Sequence, residues 1–250
     1  MTTLTRRDRP DLLAVVHPER IVRRFRRRLA YALLDRLVRL LLCVRQEGEA
    51  ALPAGPLIIY YNHVHYADPA VLLALLRGRR YAVPIAKEEV LDLPLIGYFV
   101  RHFGVILVAR GQADVEALRV AQQVLENGHV LLIAPEGTRN RVDFTLQAAR
   151  RGMAFLVRRT GAALLPVALE GTERFPATLW RGRRTPITVR WGRPFRLHLP
   201  DGLPRREAEA LITDVAMREL AALLPAEKRG AYRALPATVP AEWVRYVECR

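Results

Sequence analysis

A mixed, largely parallel β-sheet flanked by helices, an α/β fold, is what this sequence predicts. Short apolar runs alternate with longer segments of helical periodicity along most of the chain. Strands of a parallel sheet are buried on both faces, so they occur in sequences as nearly continuous apolar runs. With 250 residues, 51% of them hydrophobic, the chain can bury a core of this kind.

The predicted elements follow one another in regular alternation. Apolar or alternating runs predict strands at residues 56–61, 81–86, 105–110, 129–134, 163–169 and 185–191. Helical periodicity predicts helices at residues 69–77, 113–127, 144–160 and 204–224, with an interrupted helical segment at 88–103. We therefore expect one α/β domain at residues 51–225, preceded by a basic arm with amphipathic helices at 1–50 and followed by a tail at 226–250.

Residues 21–44 have a helical pattern that is strongly basic. Eight arginines lie between Arg20 and Arg39, and Asp35 is the only carboxylate among them. The apolar stripe of the first half, which includes Leu29, and the stripe of the second half, which includes Leu34, point in different directions. One straight helix cannot bury both against one surface, so we expect a break near residues 32–36 and two helices. Such a segment suits an anionic membrane surface, although a solvated charged face is the alternative.

The charge balance predicts an anionic partner. Forty Lys and Arg residues against 25 Asp and Glu give a net charge of +15, which suits nucleic acid, an anionic membrane or phosphorylated substrates. The two cysteines, Cys43 and Cys249, are far apart and lack metal-site spacing, as is usual for a reducing cytoplasm. We find no signal-peptide pattern at the N-terminus and no apolar run of about 18 residues, so we expect no membrane-spanning helix.

Polar residues follow three predicted strands at the point where each strand ends. They are the stretch Asn62 to Asp68, Arg110 with its following glycine, and residues 135–141. Functional groups of α/β sheets gather beyond the carboxyl ends of the strands. Each stretch also has a plain structural explanation. Asp68 before Pro69, for example, is typical of a helix N-cap followed by the first helical residue.

Two kinds of chemistry fit the first stretch. His63 and His65, with Asp68 and Glu136, could bind a divalent metal and support a metal-dependent hydrolase. Alternatively, Asp68 accepts the Nδ1–H of His63 and leaves its Nε2 free to take a proton. The sequence has no serine in a nucleophile-elbow motif, so the activated hydroxyl would belong to a substrate. Arg110 and Arg139, with N–H groups around Gly137, could then hold that substrate's phosphate.

Four blocks, in order, resemble those of the glycerolipid acyltransferase family, the 1-acylglycerol-3-phosphate acyltransferases. Asn62-His63-x-x-x-x-Asp68 is similar to the family's NH-x4-D motif, and residues 104–110, GVILVAR, to its G-x-I-x-x-x-R block. PEGTR at 135–139 and LLPVAL at 164–169 are similar to the other two blocks. The sequence departs from the pattern at Val64, His65 and Ala134, where many members have serine or glutamine and an aromatic residue.

The resemblance, over residues 56–195, implies transfer of a fatty acyl group from acyl-CoA or acyl carrier protein to the hydroxyl of lysophosphatidate or a related lysophospholipid. His63 would be the general base and Asp68 its orienting partner. The residues implied in substrate binding are Lys87, Arg110, Glu136, Gly137, Thr138 and Arg139. The resemblance implies no metal or redox cofactor.

The same resemblance implies an N-terminal two-helix motif that contacts the membrane. We therefore expect a peripheral protein on the cytoplasmic face of the cell membrane, with anionic lipids as partners and no nucleic acid. A basic nucleic-acid-binding protein remains the alternative from a different class, but the arginines concentrate before the α/β domain and no nucleic-acid-binding motif is present.

Overall fold

The computed structural model describes residues 24–93, 96–97, 100, 103–108, 115–200, 202–233 and 243–247. Within these ranges the helices are α1 (Arg24–Leu41), α2 (Ala67–Leu75), α3 (Val115–Glu126), α4 (Gly152–Thr160) and α5 (Arg205–Ala222). The strands are β1 (Leu42–Glu47), β2 (Leu57–Tyr61), β3 (Ala82–Lys87), β4 (Ile106–Val108), β5 (Val130–Ile133), β6 (Ala163–Glu170), β7 (Thr185–Trp191), β8 (Phe195–Leu197) and β9 (Val244–Tyr246). All six predicted strands occur, with ends that differ by a few residues.

The strands form one mixed sheet. Neighbours follow the order β1-β7-β6-β2-β5-β3-β4, while β8 pairs with β6 and β9 with β8. The central pairs are parallel, as are β1 and β7, whereas β7 and β8 run antiparallel to β6. The carboxyl ends of β2 to β6 therefore meet at one edge, which we call the site edge. The predicted α/β fold with a mixed, largely parallel sheet is confirmed.

Both faces of the sheet are covered, which explains the continuous apolar runs. Successive strand residues point to opposite faces. Leu57, Ile59 and Tyr61 of β2 enter the core that includes α1 and α2, and Ile58 and Tyr60 enter the core that includes α3, α4 and α5. All five side chains are fully buried or nearly so.

Helix α1 continues through the predicted break, so the expectation of a break near residues 32–36 is wrong. A single stripe, Ala30, Leu34 and Val38, is buried along one side at helical spacing, and α1 packs on α2. Leu29, assigned to the buried stripe of a first helix, is 58% exposed. The helix can continue past residue 36 because Leu29 of the first stripe faces solvent and does not have to be buried against the core. The two helices predicted over residues 21–44 therefore correspond largely to this one helix, and residues 21–23 lie outside the described residues.

Backbone pairing between residues distant in the chain explains three further differences between the predicted and the observed secondary structure. Residues 42–44, predicted as helix, begin the strand β1, which pairs with β7, and β9 pairs with β8. The sheet therefore extends beyond the predicted domain of residues 51–225 at both ends. The helix predicted at 144–160 begins only at Gly152, because Leu146 exchanges backbone hydrogen bonds with Lys228 and Ala231.

Candidate active site

The loop between β2 and α2 brings His63 and Asp68 together. Nδ1 of His63 lies 2.9 Å from Oδ2 of Asp68, and the Asp68 side chain is fully buried. The same oxygen accepts the backbone N–H groups of Val64 at 2.9 Å and His65 at 2.8 Å. Three donors thus converge on one carboxylate oxygen, which fixes the loop and the His63 ring as a unit.

The partners of His63 determine which of its nitrogens can take up a proton. A carboxylate only accepts, so Nδ1 carries the hydrogen that points to Asp68 and Nε2 keeps a free lone pair. The His63 side chain is 19% exposed, so a ligand at the site edge can reach it. The pair can therefore remove a proton from a bound hydroxyl and return it to a leaving group.

Asp68 is not an N-cap, contrary to the structural interpretation of its sequence context. The N-cap of α2 is Tyr66, without a side-chain cap hydrogen bond, and Asp68 is the second helical residue. Its side chain turns back into the preceding loop instead of capping the helix. The other oxygen, Oδ1, is buried and has no hydrogen-bond partner among the described residues.

Glu136, which follows β5, connects the second loop to the first. Its Oε1 accepts the backbone N–H of His63 at 2.9 Å, and its Oε2 accepts the backbone N–H of Gln147 at 2.9 Å. Asn140 N–H donates to the carbonyl of His63 at 3.1 Å, so the His63 backbone is held from both sides. Burial raises the pKa of Glu136 to about 7. Glu136 is buried and each of its oxygens accepts one backbone N–H, so its observed contacts are with the protein, and its predicted contact with substrate stays a prediction.

The last three residues of the PEGTR block stand closer to solvent. Gly137 has a φ of +67°, and a Cβ there would lie 2.6 Å from Cδ of Arg150. Thr138 is exposed. The guanidinium carbon of Arg139 lies 3.4 Å from the centre of the Tyr66 ring, a close cation–π contact, and burial lowers the pKa of Arg139. Arg139 is therefore attached to the loop that carries His63.

The ring of His65 has different contacts from the ring of His63. Its Nδ1 accepts the backbone N–H of Ala67 at 3.2 Å, and its ring lies edge-on to Phe175 with centroids 5.7 Å apart. Burial lowers the pKa of His65. The Nδ1 atoms of both histidines are thus engaged within the protein. In the part of the chain that the structure describes, no three His, Cys, Asp or Glu side chains are grouped closely enough to hold a metal ion.

Of two further predicted binding residues, Lys87 lies farther along the site edge and Arg110 is not among the described residues. Lys87 ends β3, which is separated from β2 by β5, a distance of about 10 Å at the usual strand spacing. It pairs in register with Val108, the last described residue of β4. Arg110 lies outside the described residues.

Asn62 and Arg150 belong to the site although the sequence assigned them no role. Asn62 donates through Nδ2 to the carbonyl of Leu169 at 2.9 Å and accepts the N–H of Leu169 at 2.8 Å, which joins the end of β2 to the end of β6. Its place in the NH-x4-D block, directly before His63, was the signal in the sequence. Arg150 is exposed and extends from the segment before α4 to Gly137. No motif or spacing in the sequence indicated that it would lie at the site.

The sequence profile of the Acyltransferase family matches residues 43–170, just over half of the chain. The chain belongs to the acyltransferase family. The match runs from the second residue of β1 to the end of β6 and includes His63, Asp68 and the PEGTR block. The family recognised from the four sequence blocks is confirmed.

Known acyltransferases resemble this family member over part of their length. A chloroplastic 1-acyl-sn-glycerol-3-phosphate acyltransferase of Arabidopsis thaliana is 29% identical over 53% of the chain and 37% of its own length. A 1-acyl-sn-glycerol-3-phosphate acyltransferase of Borreliella burgdorferi is 32% identical over 47% of each protein. The chain therefore matches less than half the length of either relative.

A solved structure matches the fold over most of the chain. The crystal structure of the 1-acyl-sn-glycerophosphate acyltransferase of Thermotoga maritima aligns with a TM-score of 0.58 and 24% sequence identity. The alignment covers 83% of this chain and 86% of the solved chain. At this identity the likeness supports the α/β architecture.

Proposed function

We propose that the protein transfers a fatty acyl group from a thioester donor to the hydroxyl of lysophosphatidate or a related lysophospholipid. The observation that carries the proposal is the His63–Asp68 pair, 2.9 Å apart at the site edge of a chain of the acyltransferase family. Both curated relatives are named 1-acyl-sn-glycerol-3-phosphate acyltransferases, which supports this acceptor.

In the proposed reaction, Nε2 of His63 takes the proton of the acceptor hydroxyl as its oxygen attacks the thioester carbonyl carbon. A C–O bond forms, and the carbonyl electrons move to oxygen to give a tetrahedral intermediate. When the carbonyl re-forms, the C–S bond breaks, and the leaving thiolate takes the proton back from His63. The products are an ester and a free thiol. The substrates and His63 supply every group, so we propose that the reaction needs no metal or redox cofactor.

We propose that Asp68 and Glu136 act by positioning His63. Asp68 holds the Nδ1–H tautomer and stabilises the imidazolium that forms during the attack. Glu136 holds the His63 backbone N–H and the neighbouring loop, so that the base and the acceptor-binding residues keep a fixed separation. Fixed geometry of this kind contributes much of the rate enhancement in reactions between two bound substrates.

For the acceptor phosphate we propose Arg110, Arg139 and Thr138, with backbone N–H groups near Gly137 and with Lys87 at the rim. Arginine binds phosphate through two parallel N–H bonds, which lysine cannot form. The variant Arg110→Lys should therefore raise the KM for the lysolipid acceptor while the KM for the donor changes little. A defect confined to the donor would instead assign Arg110 to the donor half of the site.

We propose a location on the cytoplasmic face of the cell membrane, where α1 contacts anionic lipids. No described helix is long and apolar enough to span a bilayer. Leu29, Leu33 and Leu40 are exposed on α1, and Arg36 lies in the same stripe at helical spacing. An apolar stripe combined with arginines suits the boundary between headgroups and acyl chains.

An acyl-transfer assay tests the proposal by crossing two donors, acyl-CoA and acyl carrier protein, with lysophosphatidate, glycerol 3-phosphate and other lysophospholipids. We expect transfer to lysophosphatidate or a related lysophospholipid, retained in the presence of EDTA. Hydrolysis of the thioester without transfer, or activity that EDTA abolishes, would contradict the proposal.

A further inference from the structure

The connection between β6 and β7 contains a turn that exposes an aromatic residue among arginines. Residues 178–184, here called the Trp180 turn, place the Trp180 side chain 85% in solvent. Arg181, Arg183 and Arg184 follow it, and all three are exposed. A tryptophan this exposed leaves a large apolar ring in water, and together with the arginines around it and the exposed leucines of α1 it forms a candidate contact surface.

The turn is preformed. Arg181 and Arg183 donate backbone N–H groups to the carbonyl of Thr178, both at 3.1 Å, and Gly182 donates to Leu179 at 2.8 Å. The Arg184 side chain donates to the carbonyl of Leu42 at 2.6 Å and also to that of Arg39. The turn is thereby attached to the C-terminal end of α1, and both can bind one surface without first becoming ordered.

The Trp180 turn stands at the site edge. β7 begins at Thr185, which pairs with Leu42, and Glu170 at the end of β6 pairs with Thr188. The start of β7 therefore extends past the end of β6, on the side of the sheet edge where His63 lies. Phe175, five residues before Trp180, contacts the ring of His65.

The turn also continues the exposed stripe of α1. Leu40, 67% exposed, lies next to the two carbonyls that Arg184 binds at the end of that helix. Trp180 and the exposed leucines supply an apolar surface, and the arginines around them supply positive charge. Tryptophan prefers the membrane interface, where its ring is buried and its N–H remains hydrated. Each arginine near an anionic leaflet adds attraction.

We infer that the Trp180 turn is a second membrane contact, which inserts Trp180 at the headgroup boundary of an anionic membrane and holds the site edge against it. The inference rests on the proposed function, because a lipid acceptor is what brings the site edge to a membrane. The turn is two strands away from His63 in the order β7-β6-β2. Its insertion would therefore determine the distance between the active site and the acyl chains of the membrane.

Vesicle binding without any substrate tests the inference. Trp180→Ala should weaken binding to phosphatidylglycerol vesicles roughly tenfold, the effect of withdrawing one large side chain from an apolar environment. The matched control is Tyr246→Ala, an exposed aromatic residue on β9 at the opposite edge of the sheet, and its binding should equal that of the wild type. Equal binding by Trp180→Ala and wild type would overturn the inference.

Fluorescence supplies an independent measurement. The chain has three tryptophans, of which Trp191 is buried and Trp243 directly precedes β9. Brominated lipids in the vesicles should quench the wild type, and Trp180→Phe should lose most of that quenching while it keeps vesicle affinity. Undiminished quenching in Trp180→Phe would also overturn the inference, as would a turn that binds DNA or an acidic protein but no vesicles.

The outcome is separable from that of the proposed function. Transfer to a detergent-solubilised lysolipid tests the reaction without a vesicle. Vesicle binding that depends on Trp180, in a protein with no transfer activity, would reject the reaction and keep the contact. Transfer activity together with Trp180-independent vesicle binding would reject the contact alone.

Discussion

The loop between β2 and α2 and the Trp180 turn leave the same edge of the sheet, but they are held in different ways. In the first, buried carboxylates accept inward-pointing backbone N–H groups, and Asp68 alone takes two of them besides the His63 ring. In the second, the arginine side chains are exposed, and among the described residues Arg184 is the one whose guanidinium donates to the protein. Acid–base chemistry requires fixed atoms, whereas docking requires accessible charge and apolar surface.

The difference predicts two kinds of mutational effect. Substitutions in the first loop should change the rate by orders of magnitude and show little dependence on salt, because its contacts are buried. Substitutions on the docking surface should change vesicle affinity severalfold and depend on ionic strength, because exposed charges are screened.

The largest effect is expected for His63→Ala. General-base assistance is worth roughly 10²–10⁴ in rate, and this variant removes the only atom proposed to take the proton. His65→Ala is the matched control two residues away, and its loss in kcat should be much smaller, since its Nδ1 serves only the Ala67 N–H. Circular dichroism should show both variants folded. An inactive His65 variant beside an active His63 variant would reverse the assignment.

Asp68→Asn should slow turnover by roughly 10² and also reduce stability, by about 1–3 kcal/mol. The amide oxygen can replace Oδ2, but the NH2 group then takes the position of Oδ1, which has no hydrogen-bond partner among the described residues. A neutral amide also stabilises the imidazolium less well. Kinetics and denaturant unfolding measure the two losses separately.

The N-cap interpretation of Asp68, which the structure contradicts, predicts a different result for the same variant. Asn caps helices about as well as Asp, so a residue acting only as an N-cap would leave both stability and turnover close to wild type. Near-normal kcat in a stable Asp68→Asn variant would mean that another group orients His63.

Glu136→Gln tests the connection between the two site-edge loops through its pH dependence. The folded-state pKa, about 7, lies above the ordinary value of 4.5, so between these values the folded protein binds more protons than the unfolded chain. The contribution of Glu136 to stability is then complete below pH 4.5 and declines as the pH rises to 7. Between pH 4.5 and 7, the free energy of unfolding of the wild type should fall by on the order of 2–3 kcal/mol relative to that of Glu136→Gln. Parallel stability curves for the two proteins would contradict a raised pKa.

The sequence was most informative where a contact is local or a motif is specific. His63 and Asp68 are five residues apart, and their predicted pairing is present at 2.9 Å. The central strands could be located because burial on both faces leaves them almost wholly apolar. The blocks shared with the acyltransferase family located the loops that meet at the site edge.

Contacts between distant residues could not be read from the sequence. β1 follows the helical pattern of α1 directly and becomes a strand only because β7, more than 140 residues later, pairs with it. Glu136 looked like a binding group, and its two backbone partners, His63 and Gln147, come from different segments. Leu29 was assigned to an apolar stripe but is exposed, because periodicity identifies a stripe but not the side that the core occupies.

The smallest effect is expected on the docking surface, for Arg36→Gln on α1. Arg36 is exposed and shares a stripe with the exposed Leu33 and Leu40. One basic residue near an anionic leaflet is worth about 1 kcal/mol, so binding to phosphatidylglycerol vesicles should weaken about fivefold at low salt. The difference should shrink toward nothing near 1 M salt, where the screening length is about 3 Å.

The control for Arg36→Gln is Arg206→Gln, an exposed arginine in the first turn of α5. α5 follows β8, which pairs with β6 at its first residues, so Arg206 lies away from the site edge. Its vesicle binding should match the wild type in sedimentation across the same salt series, and neutral phosphatidylcholine vesicles should bind all three proteins weakly. If Arg206→Gln weakened binding as much as Arg36→Gln, the attraction would come from the net charge of the protein and not from an oriented surface. Equal binding of wild type to both kinds of vesicle at every salt concentration would mean that apolar insertion alone holds the site edge at the membrane.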